Sequence, residues 1–189
     1  MIFVSGQHGS GKTTLSKSHV LESNGFVSVD SGPLLREQHF VGVGEERLVS
    51  TARLKQLDCE NPNMVGQTVV RGISRMARAG VLDEAQEIIV VGIRSMRSVR
   101  YITNNIKFGR RDMLVYLEAP PEMLLQRYNA RERSRLHMGE FMAMLREDFQ
   151  NELEEMKNMA HYRLAANAEA KEVALSFRQI LRANGYSLA

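Results

Sequence analysis

The chain has 189 residues, a single cysteine and no tryptophan. One thiol, Cys59, forms no internal disulfide, which fits a reducing compartment, and the cytoplasm is the expected location. No apolar stretch approaches the roughly 20 residues that a membrane span needs. The opening Met1-Ile2-Phe3-Val4-Ser5 has no charged leader before it and runs into a glycine-rich segment, so it reads as a strand and not a signal peptide. The five histidines (His8, His19, His39, His137, His161) are scattered without metal-ligand spacing, and His8 reads as a plain loop side chain. Aromatic residues make up only 6% and do not interleave with basic ones, which leaves little support for a platform that stacks single-stranded nucleic acid. No nucleophile elbow or Cys/His pair is present. Asn-Lys-x-Asp and Asp-x-x-Gly, the marks of a guanine-specific switch protein, are absent too.

What is present is a moderate apolar content of 43% and a net charge of +3, enough for one domain over residues 1–189 with a real core. The charge is unevenly spread. Between Arg94 and Arg135 there are ten Lys or Arg and four acids, whereas the stretch after Glu140 turns acidic. Clustered arginine suits a phosphorylated ligand, because guanidinium holds phosphate through paired hydrogen bonds; the bland reading of each is a solvated helix face.

Short runs that are apolar on both faces (Ile2–Ser5, Phe26–Asp30, Glu87–Val91, Met113–Glu118 and Tyr162–Ala166) alternate with helical segments. Helices are predicted over Thr13–Ser23, from Gly32 to Phe40 capped by Ser31, over Glu45–Leu57, Met64–Ala79 and Met96–Asn105, from Glu122, over Gly139–His161 and over Glu169–Ala183. This pattern predicts a three-layer α/β/α domain around a mostly parallel five-stranded sheet.

Gly6-Gln7-His8-Gly9-Ser10-Gly11-Lys12-Thr13 has the form G-x-x-x-x-G-K-[ST], placed between a predicted strand and a predicted helix. The glycines let consecutive N–H groups converge into a concave nest for the phosphates of ATP. Lys12 brings a mobile positive charge, the Thr13 hydroxyl is the expected ligand of Mg²⁺, and Thr14 adds a hydroxyl towards the α-phosphate. Gly6, Gly9, Ser10, Gly11, Lys12, Thr13 and Thr14 are therefore the expected nucleotide site, with ATP and Mg²⁺ as cofactors.

Three further segments carry a resemblance to the P-loop nucleotide kinases. Val29-Asp30-Ser31-Gly32-Pro33-Leu34-Leu35-Arg36 resembles their acceptor-binding segment, and Asp30, Ser31, Gly32 and Arg36 fit the cytidylate-kinase form best. Val90-Val91-Gly92-Ile93-Arg94-Ser95 is similar to the Asp-Gly-Ile-Arg segment of archaeal kinases related to dephospho-coenzyme A kinase, with Val91 where the acid should be. The strand Met113–Glu118, followed by Ala119-Pro120 and an Arg-bearing helix, resembles the lid segment of the same kinases.

The resemblance implies a nucleoside-monophosphate-kinase type of P-loop fold, an acceptor-binding helical insert at about 32–82 and a short lid at about 127–139. It implies an acceptor held by Asp30, Ser31, Arg36 and Arg94, with Lys12, Asp30, Arg127 and Arg131 as the catalytic set. Arg163–Asn167 would form the loop that contacts adenine. The first expectation is phosphorylation of a nucleoside monophosphate or related nucleotide. The alternative is a kinase of an alcohol, with Asp30 as the base, since a phosphate acceptor is already deprotonated and needs none. A second alternative is an ATP-binding regulatory or nucleic-acid-associated protein. A small-molecule acceptor is the expected partner, with no membrane; oligomeric state is not legible.

Overall fold

A computed structural model describes residues 1–18, 21, 24–39, 57, 60–83, 86–107, 111–148 and 152–188. Cys59, His19 and most of the expected Glu45–Leu57 helix lie outside the described residues. The elements run β1 (Ile2–Gly6), α1 (Lys12–Ser16), β2 (Phe26–Asp30), α2 (Ser31–His39), α3 (Met64–Arg78), β3 (Glu87–Val91), α4 (Met96–Asn105), β4 (Met113–Glu118), α5 (Pro121–Glu132), α6 (Met138–Asp148), α7 (Glu154–Met159), β5 (Tyr162–Ala165) and α8 (Ala170–Ala183).

The five strands form one all-parallel sheet in the order β2-β3-β1-β4-β5. Strand side chains alternate between its faces, as the two-residue repeat requires. Ile2, Val4, Ile89, Val91, Val115 and Leu117 face one way and pack with Leu15, Val173, Phe177 and Leu181 of α1 and α8. Phe3, Ile88, Val90, Leu114 and Tyr116 face the other way and pack with Val69 and Ile73 of α3, Val99 and Ile102 of α4, and Met156 of α7. A sheet covered on both sides explains why β1 and β3 read as unbroken apolar runs. The order places β1 centrally with β3 and β4 on either side, so the loop leaving β1 opens above the middle of the sheet, where ligands of open parallel sheets bind.

Three expectations change. The helix predicted over Thr13–Ser23 is α1 and ends at Ser16, with Lys17 as its C-cap; residues 19, 20, 22 and 23 lie outside the described residues. The single helix predicted from Gly139 to His161 is two helices, α6 and α7. Glu152 has φ 72°, which a right-handed helix cannot accommodate. The break has a packing reason: Phe141 and Leu145 of α6 pack on Leu124 of α5, whereas Leu153 and Met156 pack under the sheet, and one straight helix cannot serve both. The cap of α2 also differs. Ser31 is the first residue of the helix and is buried, and it is Asp30 Oδ1 that accepts the N–H of Gly32 at 3.0 Å.

The opposite charges of the middle and late sequence meet across α4 and its neighbour. Arg97 pairs with Glu152 at 2.7 Å and Arg100 with Glu155 at 3.2 Å, so part of the basic stretch is already neutralised. No helix among the described residues is long and apolar enough to cross a membrane.

Candidate functional site: a phosphate loop facing an acid and an arginine

The turn after β1 has positive φ at Gly6 (144°), Gly9 (76°) and Gly11 (88°). At the first two, space as well as backbone angle demands glycine. A Cβ on Gly6 would lie 2.6 Å from the carbonyl oxygen of Leu117, and one on Gly9 would lie 2.7 Å from that of Leu124. The loop is thus wedged between the end of β4 and the first turn of α5. Lys12 Nζ donates to the carbonyls of Gly6 (2.8 Å) and Gln7 (2.7 Å) and to Ser10 Oγ (3.3 Å). A flexible ammonium resting on the loop's own oxygens, beside glycine-shaped N–H groups, is a donor set suited to phosphate. Thr13 and Thr14 follow on α1, both exposed.

The acceptor side lies one and two strands away. Parallel register sets Asp30, the last residue of β2, beside Val91, the last of β3. Thr13 Oγ1 donates to Asp30 Oδ2 at 3.2 Å, so the only carboxylate ending β2 or β3 sits against the hydroxyl of the phosphate loop. Val91 is packed in the apolar layer under α1 and α8, and the acid missing from β3 has its counterpart one strand over. A hydroxyl and a carboxylate are hard oxygen donors, the kind Mg²⁺ takes together with phosphate oxygens. Among the described residues no group of three or more His, Cys, Asp or Glu is placed to hold a metal by itself.

Ser31 is buried against Gly92, whose φ is 87° and whose absent Cβ would fall 2.7 Å from Ser31 Oγ. Arg36 folds back along α2 until its guanidinium lies beside Gly32 and Asp30; a Cβ on Gly32 would be 3.6 Å from Arg36 Nη1 and 3.4 Å from Asp30 Oδ1. Ser5 Oγ donates to the carbonyl of Ile93 at 2.8 Å and fixes the chain leaving β3 to β1. The next residue, Arg94, projects to the phosphate loop. Its Nη2 stands 2.7 Å from Nε2 and 3.1 Å from Nδ1 of His8. The His8 ring also meets Tyr128 edge-on, with centroids 6.0 Å apart and planes at 76°. Burial, then the charges of Arg94, Lys12 and Arg131, push the imidazole pKa from 6.5 down to about 2, so His8 is neutral.

Two expected catalytic arginines part company on α5. Arg131 stays on the loop side: it lies over the Tyr128 ring, 5.7 Å from its centroid, and its charge is felt by His8. Arg127 turns the other way and donates to the carbonyls of Ala166 (2.8 Å) and Ala168 (3.4 Å) in the turn after β5. The segment beyond α5 is short and pinned: Asn129 Oδ1 accepts from Ser134 Oγ (2.6 Å) and the N–H of Leu136 (3.1 Å). Behind the loop, Gln7, Tyr116, Glu118, Lys157 and Asn167 line a cleft of about 320 Å³, with Glu118 and Lys157 paired at 3.0 Å.

Of the residues that sequence singles out, Lys12, Thr13, Asp30, Ser31, Arg36 and Arg94 gather at the carboxyl edge of β1, β2 and β3, Arg131 faces them from α5, and Arg127 does not join them. His8 does, and sequence alone carried no signal for it, since a variable motif position says nothing of what folds against it.

Residues 2–153 match the profile of the AAA domain family, which is most of the chain. No curated protein matches by sequence. Similar solved structures include shikimate kinase from Acinetobacter baumannii in complex with shikimate, 20% identical over 98% of this chain and 94% of that chain, with a TM-score of 0.58. TT1252 from Thermus thermophilus is 21% identical over 98% of this chain and 97% of that one, with a TM-score of 0.61. A gluconokinase from Sinorhizobium meliloti 1021 is 14% identical over 98% and 94%, with a TM-score of 0.57. Identities this low speak for a shared fold.

Proposed function

The chain belongs to the AAA domain family and has the fold of the P-loop kinases, and on that premise we propose that it transfers the terminal phosphoryl group of ATP, with Mg²⁺, to the hydroxyl of a small acceptor. The observation that carries the reading is the place of Asp30. Its carboxylate ends β2 and lies 3.2 Å from the Thr13 hydroxyl, where donor and acceptor sides meet.

An alcohol must lose a proton to attack phosphorus, and a carboxylate at that junction can take it. A monophosphate acceptor needs no base, and a fixed carboxylate beside it would repel it. The order of the sequence-based expectations is therefore reversed. The similar folds support the reversal, being named for shikimate and gluconate, both hydroxyl compounds that also carry a carboxylate.

The roles follow from position. The loop N–H groups and Lys12 bind the triphosphate. Thr13 and Asp30 are the residues that would hold Mg²⁺, which when bound draws the phosphate oxygens together and offsets their charge. Asp30 accepts the hydroxyl proton, the acceptor oxygen bonds to the γ-phosphorus, and ADP leaves as the bridging bond breaks. Lys12 and Arg131 stabilise the charge that builds on the moving group. Ser31, Arg36 and Arg94 hold the acceptor, and the helical insert at about 32–82 lies on the same acceptor side. Arg127 belongs to the nucleotide's base side, ordering the turn at Ala166–Ala168, while 127–139 forms a short lid that excludes water.

The test is ADP release across a panel of hydroxy acids, sugars and nucleoside monophosphates. Turnover with hydroxy compounds supports the reading. Turnover confined to monophosphates overturns it.

A further inference from the structure

Tyr128 belongs to none of the motifs in the sequence, yet side chains from three segments converge on it. His8 comes from the phosphate loop, with ring centroids 6.0 Å apart. Phe141 comes from α6, with centroids 5.6 Å apart. Arg131, one turn further along α5, lays its guanidinium over the ring, 5.7 Å from the centroid. We propose that Tyr128 is the positioning residue of Arg131: its ring seats the guanidinium and ties it to the phosphate loop, so that the charge is in place when the phosphoryl group moves. The inference rests on the phosphoryl-transfer reading and deepens it by naming what holds its exposed arginine.

An arginine on a helix surface gives up much rotamer freedom when it is fixed. The side chain of Arg131 is 56% exposed. Glu132 Oε1 accepts from its Nε at 2.6 Å, but Glu132 is the next residue and is itself 42% exposed. It travels with the arginine and anchors it to nothing, and an exposed pair of this kind is worth little. Tyr128 is anchored. Its ring packs on the small core of Leu124, Phe141 and Leu145, all buried, so the fold sets the ring plane. A spacing of three residues puts ring and guanidinium on one helix face. The ring attracts the cation through its quadrupole and brings no charge of its own, so this seat does not neutralise the arginine. Glu132 takes Nε, which leaves the two Nη nitrogens to donate to phosphate oxygens. None of the contacts at Tyr128 uses its hydroxyl, so phenylalanine should serve there and leucine should not.

A side chain that merely fills space beside the loop acts on nucleotide binding as a whole. A seat for Arg131 acts only where charge develops. The experiment uses the full chain as wild type, Tyr128→Phe, Tyr128→Leu, Glu132→Gln, Arg131→Ala and the double variant Tyr128→Leu/Arg131→Ala. Each is titrated calorimetrically with Mg²⁺–ADP, alone and with aluminium fluoride, which mimics the phosphoryl group in flight with water in the acceptor's place. Tyr128→Leu is expected to weaken the fluoride complex about two- to fivefold, the worth of one exposed cation–π contact, and to leave Mg²⁺–ADP alone unchanged. Tyr128→Phe recovers that loss, and Glu132→Gln shows none. Arg131→Ala weakens the fluoride complex about a hundredfold, and adding Tyr128→Leu to it costs nothing more. In the wild type, NMR should show nuclear Overhauser contacts between the Tyr128 ring protons and the Arg131 side chain, a readout that needs no variant to fold.

Wild-type affinity for the fluoride complex in Tyr128→Leu, no rescue by phenylalanine, an equal loss for Mg²⁺–ADP alone, an equal loss in Glu132→Gln, a further loss on top of Arg131→Ala, or no contact between ring and arginine by NMR each overturns the proposal. The Arg131→Ala arm separates the two levels. Failure of the wild type to bind Mg²⁺–ADP, no gain of affinity with fluoride, or no loss of that gain in Arg131→Ala removes the proposed role of Arg131 and this inference with it. A loss in Arg131→Ala without one in Tyr128→Leu removes the inference alone.

Discussion

Alanine at Gly9 and alanine at Gly11 should differ in cost, although the two glycines have similar backbones. Both lie at positive φ, 76° and 88°. A left-handed backbone costs an L-residue roughly 1–2 kcal/mol, reduced by about 0.4–1 kcal/mol because alanine also restricts the unfolded chain. That leaves about 1 kcal/mol of destabilisation for each, from strain alone. The surroundings then separate them. A Cβ on Gly11 meets nothing within 4 Å, whereas one on Gly9 lies 2.7 Å from the carbonyl oxygen and 3.3 Å from Cα of Leu124. Those are backbone atoms in the first turn of α5, so relief requires the loop and the helix to move apart, with an overpacking cost of roughly 1–3 kcal/mol. Gly9→Ala should therefore destabilise by about 2–4 kcal/mol and Gly11→Ala by about 1 kcal/mol. Urea unfolding of both variants beside the wild type reads the difference. Equal destabilisation would refute the argument that the loop is wedged against α5, and with it the contact that joins the phosphate cradle to Arg131.

Replacing Asp30 with asparagine should lower kcat for an alcohol acceptor by roughly 10²–10⁴-fold, the usual worth of a positioned base, and a full-rate variant would remove Asp30 from the chemistry. Gly92→Ala should raise the acceptor KM, because the new Cβ at φ 87° falls 2.7 Å from Ser31 Oγ; an unchanged KM would show that Ser31 does not meet the acceptor. Arg127→Ala should raise the KM for ATP rather than that for the acceptor, as its bonds to Ala166 and Ala168 place it on the other side of the loop, and steady-state kinetics with each substrate varied checks this. His8 also sets a pH dependence of stability. Its folded pKa of about 2 lies below the ordinary 6.5, so the unfolded chain binds a proton that the folded one refuses once the pH drops below 6.5. The contribution is fully present above that value and declines as the medium is acidified, at no more than about 1.4 kcal/mol per pH unit, less for a partly exposed ring. Urea midpoints between about pH 6.5 and 5 should fall less steeply in His8→Gln than in the wild type; identical slopes would contradict a neutral His8.

The fold was legible because its signals are local. β1 and β3 are apolar on both faces, the three helices over Met64–Arg78, Met96–Asn105 and Ala170–Ala183 follow the helical repeat, the helix Pro121–Glu132 is announced by the proline of its first turn, and the glycine-rich turn is fixed in spacing. The break at Glu152 was not legible, because periodicity continues through it and only the competing packing partners of Phe141 and Met156 require it. In the site, the segment Asp30–Arg36 was singled out by its resemblance, while the approach of the Arg36 guanidinium to Gly32 and Asp30 is visible only in the folded chain. Arg127 and Arg131, four apart on one helix, looked equivalent. Their divergence depends on what stands opposite each, the turn after β5 for one and the Tyr128 ring for the other. His8 depends on a meeting of residues 86 apart in the chain, which no local pattern records.

The acceptor oxygen is where the account is most exposed. Wild-type protein and Lys12→Ala, incubated with Mg²⁺–ATP and hydroxy acids, should be compared by mass spectrometry and ³¹P NMR of the products. A phosphate monoester on an acceptor hydroxyl, formed by the wild type and absent with Lys12→Ala, is the expected result. ADP accumulating with only free phosphate beside it, or a diphosphate formed from a nucleoside monophosphate while every hydroxyl compound is returned unchanged, would contradict it.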